Sequence, residues 1–295
     1  MSTSQQPIFY QSRSNETHEA IVTTGMDSPA LRFYAFASDQ VLNALEPLRG
    51  KKLLDIAAGT GHMAISAIQS VKPDGRVHVV EQDAAHLDIL FEKQQQLGIE
   101  GIDIHEMDLT SLDFRSAYFD VAICIYGVGQ LPEPQAAIND WVRVLKPGGK
   151  LVLACFAETA FQPLLEKLFI QLETAAETLQ PPAKAQLTAQ LAKHRQDLQL
   201  FSDSNTIQTW LQQAGLDDVA VHSRPLGYHL TQVQDWWEII AASPWQALID
   251  GLPASVQSNL IARHSEEISA LGQSSDDGES FWLDASTHFI GGTKN

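Results

Sequence analysis

From residue 51 to residue 156, short apolar runs alternate with longer stretches whose apolar residues recur at helical spacing, the rhythm of a parallel sheet with crossover helices. The pattern predicts strands over 52–57, 77–81, 102–106, 119–125 and 150–156. Helices are predicted over 63–70, 84–97 and 134–144, with breakers at Pro73-Asp74-Gly75, Gly98 and Pro147-Gly148-Gly149. This is an α/β core of the doubly wound, Rossmann-like kind. Beyond Phe156 the alternation stops. Helices are predicted over 158–179 and 183–200, interrupted by Pro181-Pro182, and over 204–214 behind a Ser/Asn cap. A strand over 219–225 follows, then a helical stretch over 233–272 broken at Pro244 and Pro253, and a closing strand over 281–290. The chain thus divides into an N-terminal helical or lid segment (1–50), a cofactor-binding core (51–156), and helical cap insertions with the closing strands (157–295). The N-terminal tail and 274–278 are expected to be disordered, and no internal repeat is present.

Composition narrows the partners. With 295 residues, 44% of them hydrophobic, the chain can bury roughly 75% of its extended surface and build an interior ligand site without staples. Its 19 Lys and Arg stand against 36 Asp and Glu, and a net charge of −17 repels nucleic acid and anionic bilayers. No apolar stretch approaches the ~20 residues that span a membrane, so no membrane insertion is expected. Cys124 and Cys155 both sit in apolar runs and read as buried thiols of a reducing compartment, with no metal motif. The first fifteen residues lack a signal peptide's apolar core, and a cytoplasmic location follows as the expectation.

The strand over 52–57 runs through Ala57 into Ala58-Gly59-Thr60-Gly61 and a helix, which places backbone N–H groups where open α/β sheets bind nucleotide-like cofactors. Gly59-x-Gly61-x-x-Ala64, with Glu81 about 20 residues downstream, also fits a dinucleotide fingerprint. Asp55 bears on the choice, because a carboxylate beside the turn repels a pyrophosphate and attracts a cationic amino-acid end. That favours S-adenosylmethionine, with Asp55 near its methionine end and Glu81 on the two ribose hydroxyls. Asp108 would accept from the adenine amino group while Leu109 covers the ring. Bland readings stand beside these: Asp55 as a helix cap, Glu81 as a solvated strand-end acid, Asp108 as a turn residue.

Leu54-Asp55-Ile56-Ala57-Ala58-Gly59-Thr60-Gly61, Val80-Glu81-Gln82-Asp83, Met107-Asp108-Leu109, Phe119-Asp120-Val121-Ala122 and Leu145-Lys146-Pro147-Gly148-Gly149-Lys150-Leu151 together resemble the ordered motifs of class I S-adenosylmethionine-dependent methyltransferases. The resemblance is to the quinone-biosynthesis-like branch that acts on small molecules. It implies a seven-stranded sheet whose last strand, over 281–290, is antiparallel. It also implies a cofactor site of Asp55, Ala57, Gly59, Gly61, Glu81, Gln82, Asp108, Leu109, Ile125 and Tyr126. The segment where many such enzymes carry a substrate-facing histidine reads Tyr126-Gly127-Val128-Gly129-Gln130 here.

Methyl transfer from a sulfonium is an in-line displacement with an activated electrophile, so alignment in a dry site and removal of one proton are the main demands on the protein. Tyr126, Gln130, His229 and His288 are the candidates for contacting the acceptor or its proton, with Tyr10, Tyr34 and His264 behind them. Tyr126 also reads as a packing aromatic, His288 as a strand histidine and His264 as a solvated residue beside Glu266 and Glu267. Trp236, Trp237 and Trp245 with Ile239, Ile240, Leu248 and Ile249 form a bulky block that reads as a cap over an aromatic or quinone-like acceptor, as plain core, or as a homodimer interface. An S-adenosylmethionine-dependent methyltransferase acting on an O or N atom of a small organic acceptor in biosynthesis is the leading expectation. A nicotinamide-dependent, NAD(P)-type oxidoreductase and a noncatalytic regulatory protein of the same fold stay open at this point.

Overall fold

The computed structural model describes residues 28–45, 47–275 and 278–295; Tyr10 and the N-terminal tail lie outside them. Ten strands are described: β1 Lys52–Ile56, β2 Arg76–Glu81, β3 Ile102–Glu106, β4 Phe119–Ile125, β5 Leu145–Phe156, β6 Leu216–Arg224, β7 Gly227–Leu230, β8 Gln273–Ser275, β9 Gly278–Asp284 and β10 Thr287–Lys294. The helices are α1 Phe33–Leu45, α2 His62–Val71, α3 Ala84–Gln96, α4 Pro134–Val144, α5 Leu164–Ala176, α6 Pro181–Ser202, α7 Ser204–Gln213, α8 Val233–Ala241, α9 Gln246–Asp250 and α10 Ala254–Ser269. Seven strands form one sheet in the order β3-β2-β1-β4-β5-β10-β6, and β7-β9-β8 form a small second sheet. Among the described residues no helix is long and apolar enough to cross a membrane.

The central strands are largely apolar because helices cover both faces. Leu53, Val121 and Ile123 point to the face packed by α1, α2 and α3, whereas Leu54, Ile56, Ala122 and Cys124 point to the face packed by α4 and α7. All parallel pairings of β1 to β5 run in one direction, so their carboxyl ends share one edge. That edge is where α5, α6, α8 and α9 are added, in the same apolar cluster as α1 to α3.

The closing strand of the sheet is antiparallel, to both β5 and β6, but it is β10 and not the whole of 281–290. The expected single strand is two. At Ala285-Ser286 the Asp284 carboxylate accepts from the Ser286 N–H at 2.7 Å, and Ser286 O accepts from the Ala157 N–H, so the chain bends and changes sheets. β9 pairs instead with β7, a strand the sequence pattern did not announce. Ser274, Ser275 and Gly278, expected to be disordered, lie in paired strands, with Ser275 opposite Gly278. α5 starts six residues later than the pattern suggested. Ala157 and Phe161 donate their N–H groups to Ser286 O and Asp284 O, which holds this stretch against the closing hairpin instead of in a helix. The cap of α7 is Asp203, whose carboxylate accepts from the Asn205 N–H at 3.1 Å.

His264 is buried, not solvated. α10 turns Leu260, His264 and Ile268 inward at four-residue spacing, which leaves Glu266 and Glu267 on other faces. The Trp236 indole donates to His264 Nε2 at 3.0 Å, and Trp237 donates to Ser265 Oγ at 2.9 Å, so both tryptophans tie α8 to α10 within the chain. Burial pushes the His264 imidazole down to about 4, against the smaller upward pull of Glu267. An unfolded histidine titrates near 6.5, so below that pH the unfolded chain takes a proton that the fold refuses, and stability falls until about pH 4. Urea unfolding at pH 7.5 and pH 5 is therefore expected to show a loss about 2 kcal/mol smaller in His264→Gln, which keeps an acceptor for Trp236, than in the wild type. Equal losses in the two proteins would show that His264 does not titrate against the fold.

Candidate active site

The carboxyl edge of the sheet opens into a cavity of about 2270 Å³, lined by residues from α1, the ends of β1, β2, β4 and β5, the turn at Val128–Gln130, α5, α6 and the segment joining α8 to α9. Its volume exceeds the several hundred Å³ of a one-ligand pocket and suits two molecules side by side. Ala57, Tyr126 and Phe161 line it with φ of 56°, 59° and 64°. Non-glycine residues in this left-handed region each cost on the order of 1 kcal/mol or more, and such strain gathers at ligand sites.

At the β1 end, Gly61 caps α2 with φ of 84°, and a Cβ there would stand 2.3 Å from Leu90 Cδ1 of α3. Only glycine fits the turn at that point. Glu81 holds the turn from the next strand: Oε2 accepts from the Gly59 N–H at 3.0 Å, and Oε1 accepts from Gln82 and Asp83 at 2.8 and 3.1 Å. Gly59, Thr60, Glu81 and Gln82 all line the cavity. Asp55 lies just beneath, 1% exposed, and does not itself line it. Burial is the main cause that pushes its carboxyl up to about 8; the Ala64 N–H opposes this and Glu81 adds to it. Asp55 Oδ2 and Thr60 Oγ1 are buried without a hydrogen-bond partner, so two polar atoms at this turn are left unmet by the protein.

Of the other residues read from the sequence, Leu109, Ile125, Tyr126, Gln130, His288 and Tyr34 line the cavity. Asp108 does not; its Oδ1 accepts from the Thr110 N–H and hydroxyl at 2.8 and 2.7 Å, closing an exposed turn. His229 stands on β7, away from the cavity, near Ser280 Oγ and the edge of Trp282. Thr287 Oγ1 donates to Ala285 O, so the Tyr126 hydroxyl donates to Thr287 Oγ1, at 2.7 Å, and burial raises its pKa. Its ring is stacked on Phe156 with centroids 3.8 Å apart. Tyr126 therefore offers a surface and not a free base. His288 Nδ1 is engaged with Ser223 Oγ at 2.7 Å. Among the described residues no group of three His, Cys, Asp or Glu could hold a metal ion.

What single-residue reasoning missed is the aromatic wall. Phe33, Tyr34, Tyr126, Phe156, Phe161 and Trp245 line one continuous side, with neighbouring ring centroids at 4.6 to 5.8 Å apart from the closer Tyr126–Phe156 stack. They come from α1, β5 and three connecting segments, so no local pattern announces them. His194 on α6 was also passed over, although the spacing of Leu187, Leu191, His194, Leu198 and Phe201 marks a seam that turns inward.

Residues 30–233 match the family model of the ubiE/COQ5 methyltransferases. The chain is 27% identical over 182 residues to the ubiquinone/menaquinone biosynthesis C-methyltransferase UbiE of Pseudomonas putida, covering 60% of this chain and 70% of that one. It is likewise 27% identical over 177 residues to the demethylmenaquinone methyltransferase of Clavibacter sepedonicus, covering 60% and 69%. Among solved structures, the YcgJ protein of Bacillus subtilis superposes with a TM-score of 0.56 at 18% identity, over 88% of this chain and 98% of that one. Phosphoethanolamine N-methyltransferase 2 of Haemonchus contortus, in complex with S-adenosyl-L-methionine, gives 0.52 at 15% identity, over 90% and 56%. At such identities these two show the fold. The match to the family model goes further, since it runs from the 3-10 turn before α1 through the parallel strands and into α8. The chain belongs to the ubiE/COQ5 methyltransferase family and is an S-adenosylmethionine-dependent methyltransferase acting on a small molecule.

Proposed function

We propose that the acceptor is a hydroxylated arene of quinol type, held flat against the aromatic wall. The observation that carries this reading is the wall itself: aromatic faces and edges from Phe33, Tyr34, Tyr126, Phe156, Phe161 and Trp245 favour a planar apolar ring over an aliphatic amine or a phosphate ester. The names of the Pseudomonas and Clavibacter relatives, which concern ubiquinone and menaquinone, agree with it. A hydroxylated ring offers both its oxygen and its ortho carbon to a methyl donor, so the O or N expected from the sequence changes to O or C. The reading extends to a cytoplasmic enzyme that takes a small molecule and leaves nucleic acid alone, in keeping with a net charge of −17.

The turn fits the cofactor. Its two unmet polar atoms, Asp55 Oδ2 and Thr60 Oγ1, sit beside backbone N–H groups and the Glu81 carboxylate, a donor and acceptor set suited to an ammonium and a ribose diol. Asp55, Gly59, Gly61 and Glu81 would hold the amino-acid and ribose parts, and Gln82, Leu109 and Ile125 would flank the rest. Bound S-adenosylmethionine supplies an activated methyl group on a sulfonium. The wall excludes water and fixes the plane of the acceptor, which is most of what an in-line displacement asks of a protein.

Release of S-adenosylhomocysteine with hydroxylated naphthalenes and benzenes, against ethanolamine phosphate and alkyl amines, tests the acceptor class, and carbon NMR of a labelled methyl identifies the atom. Turnover confined to the amines would overturn it. Gly61→Ala is expected to weaken S-adenosylhomocysteine binding about tenfold by calorimetry, or ~1.4 kcal/mol. Adding Leu90→Ala, which removes the atom the new Cβ would strike, is expected to return part of the loss. For Asp55 the sign follows from its raised pKa: the fold keeps a proton that the unfolded chain releases above about pH 4, so stability is lost as pH rises from there to about 8. The loss runs at roughly 1 kcal/mol per pH unit. Asp55→Asn is expected to abolish that decline in the cofactor-free protein and to weaken S-adenosylhomocysteine at pH 8 more than at pH 6, because the ammonium then loses a charged partner. Stability profiles that coincide would show that Asp55 is not the group responsible.

A further inference from the structure

The chemistry needs a proton acceptor, and of the glutamates that line the cavity Glu81 is taken up by backbone amides while Glu133 and Glu158 are exposed to solvent. Tyr126 is tied to Thr287, and His288 to Ser223. The Cys155 thiol and the Tyr34 hydroxyl are both pushed up to about 12 by burial, which leaves them protonated. Asp83 and Asp203 cap α3 and α7, and His86 stands beside Asp83 at the start of α3, on the Glu81 side. His194 is different. On α6, Leu187 and Leu191 are buried and Leu198 and Phe201 face inward at alternating spacings of three and four, so position 194 belongs to the apolar seam that packs the helix on the body of the protein. A histidine stands there instead. It is half-buried, it lines the cavity, and among the described residues neither ring nitrogen has a hydrogen-bond partner.

Resting on the reading of the acceptor as a hydroxylated arene, we propose that His194 accepts the proton of the acceptor's hydroxyl group. α6 packs across the turn at Val128–Gln130, with the Phe201 ring against Gly129, which brings the seam over the mouth of β4 where the turn itself carries no titratable side chain. Burial lowers the imidazole pKa, and the charges acting on the ring are Asp197, which opposes the shift, and Lys193, which adds to it. Both belong to α6 and are paired with each other at 2.7 Å, while the α5 carboxylates Glu166 and Glu173 are taken up by Arg195. His194 is thus neutral at pH 7 and free to take a proton. In the step, the acceptor's O–H bond breaks and its proton passes to the imidazole. The electron pair set free on the ring forms the bond to the methyl carbon, and the sulfur–methyl bond opens with its pair left on sulfur. The imidazolium then gives its proton to water; where a ring carbon was methylated, that carbon loses its proton and the ring oxygen takes one up, which restores the hydroxylated arene.

The test uses the full chain saturated with S-adenosylhomocysteine and the coloured probe 4-nitrophenol, whose spectrum reports whether its hydroxyl has lost a proton. Bound to the wild type, the probe is expected to ionise at a pH at least one unit lower than when bound to His194→Gln. His194→Leu, which completes the apolar seam and so keeps the fold, is expected to behave as His194→Gln does. In turnover, both variants are expected to fall about 100-fold with S-adenosylhomocysteine affinity within twofold, and the acidic limb of the kcat/KM profile is expected to disappear. If hydroxylated arenes are not methylated yet the probe's ionisation depends on residue 194, the acceptor reading falls and the proton acceptor stands. Identical probe spectra in all three proteins, or failure of the probe to bind the wild type, would overturn the proposal.

Discussion

Glu81 commits both carboxylate oxygens to backbone amides, Oε2 to Gly59 and Oε1 to Gln82 and Asp83. A charged acceptor with three N–H donors in a half-dry site is among the stronger polar arrangements a protein makes, and here it links two adjacent strands at their functional ends. Much else follows from it. The turn after β1 is held against β2, α2 starts from a fixed glycine, and the Asp83 backbone is aligned so that its own side chain can cap α3 through the Ala85 N–H. The same negative charge contributes to keeping a proton on Asp55 and on Tyr34. One residue therefore shapes the turn and sets part of its electrostatics.

The parallel half of the molecule was legible to within a residue or two through local periodicity and nearby breakers, except at β5, which starts at Leu145 and takes the Pro147-Gly148-Gly149 breaker into the strand at a register shift. The boundaries of β3, β4 and α4 agree with those read from the chain. The glycine turn was legible for the same reason: Asp55, Gly59, Gly61 and Glu81 are close in sequence or in strand register. The antiparallel end was less so. Nothing local in 281–290 says that the first part pairs with β7 and the second with β5 and β6; the bend at Asp284-Ser286 depends on Ala157, more than a hundred residues earlier. The aromatic wall escaped for a like reason, since its members meet only after α1 and the Phe156–Phe161 connection have folded onto the sheet. His264 was misread because two glutamates beside it outweighed the four-residue spacing of Leu260 and Ile268.

α10 and the end of β1 place ionisable groups in the interior with opposite consequences. Buried neutral His264 makes the cap vulnerable to acid, whereas buried protonated Asp55 makes the turn vulnerable to base. Between about pH 4 and 6.5 the two effects oppose one another, and above that range only the Asp55 loss continues, up to about pH 8. Asp55 costs the fold its burial, and its Oδ2 is left without a partner among the described residues.

The closeness of the loops after β1 and β4 bears on how this site can change over generations. A Cβ on Gly127 would stand 2.4 Å from Ala57 Cβ and 2.9 Å from Cys124 Sγ, so the two loops touch through the one methyl group that Ala57 supplies. A larger side chain is admissible at one of these positions only while the other stays at its minimum. Since Ala57 and Gly127 both line the cavity, this contact makes the two loops epistatic: mutational drift in one narrows the substitutions that the other can accept.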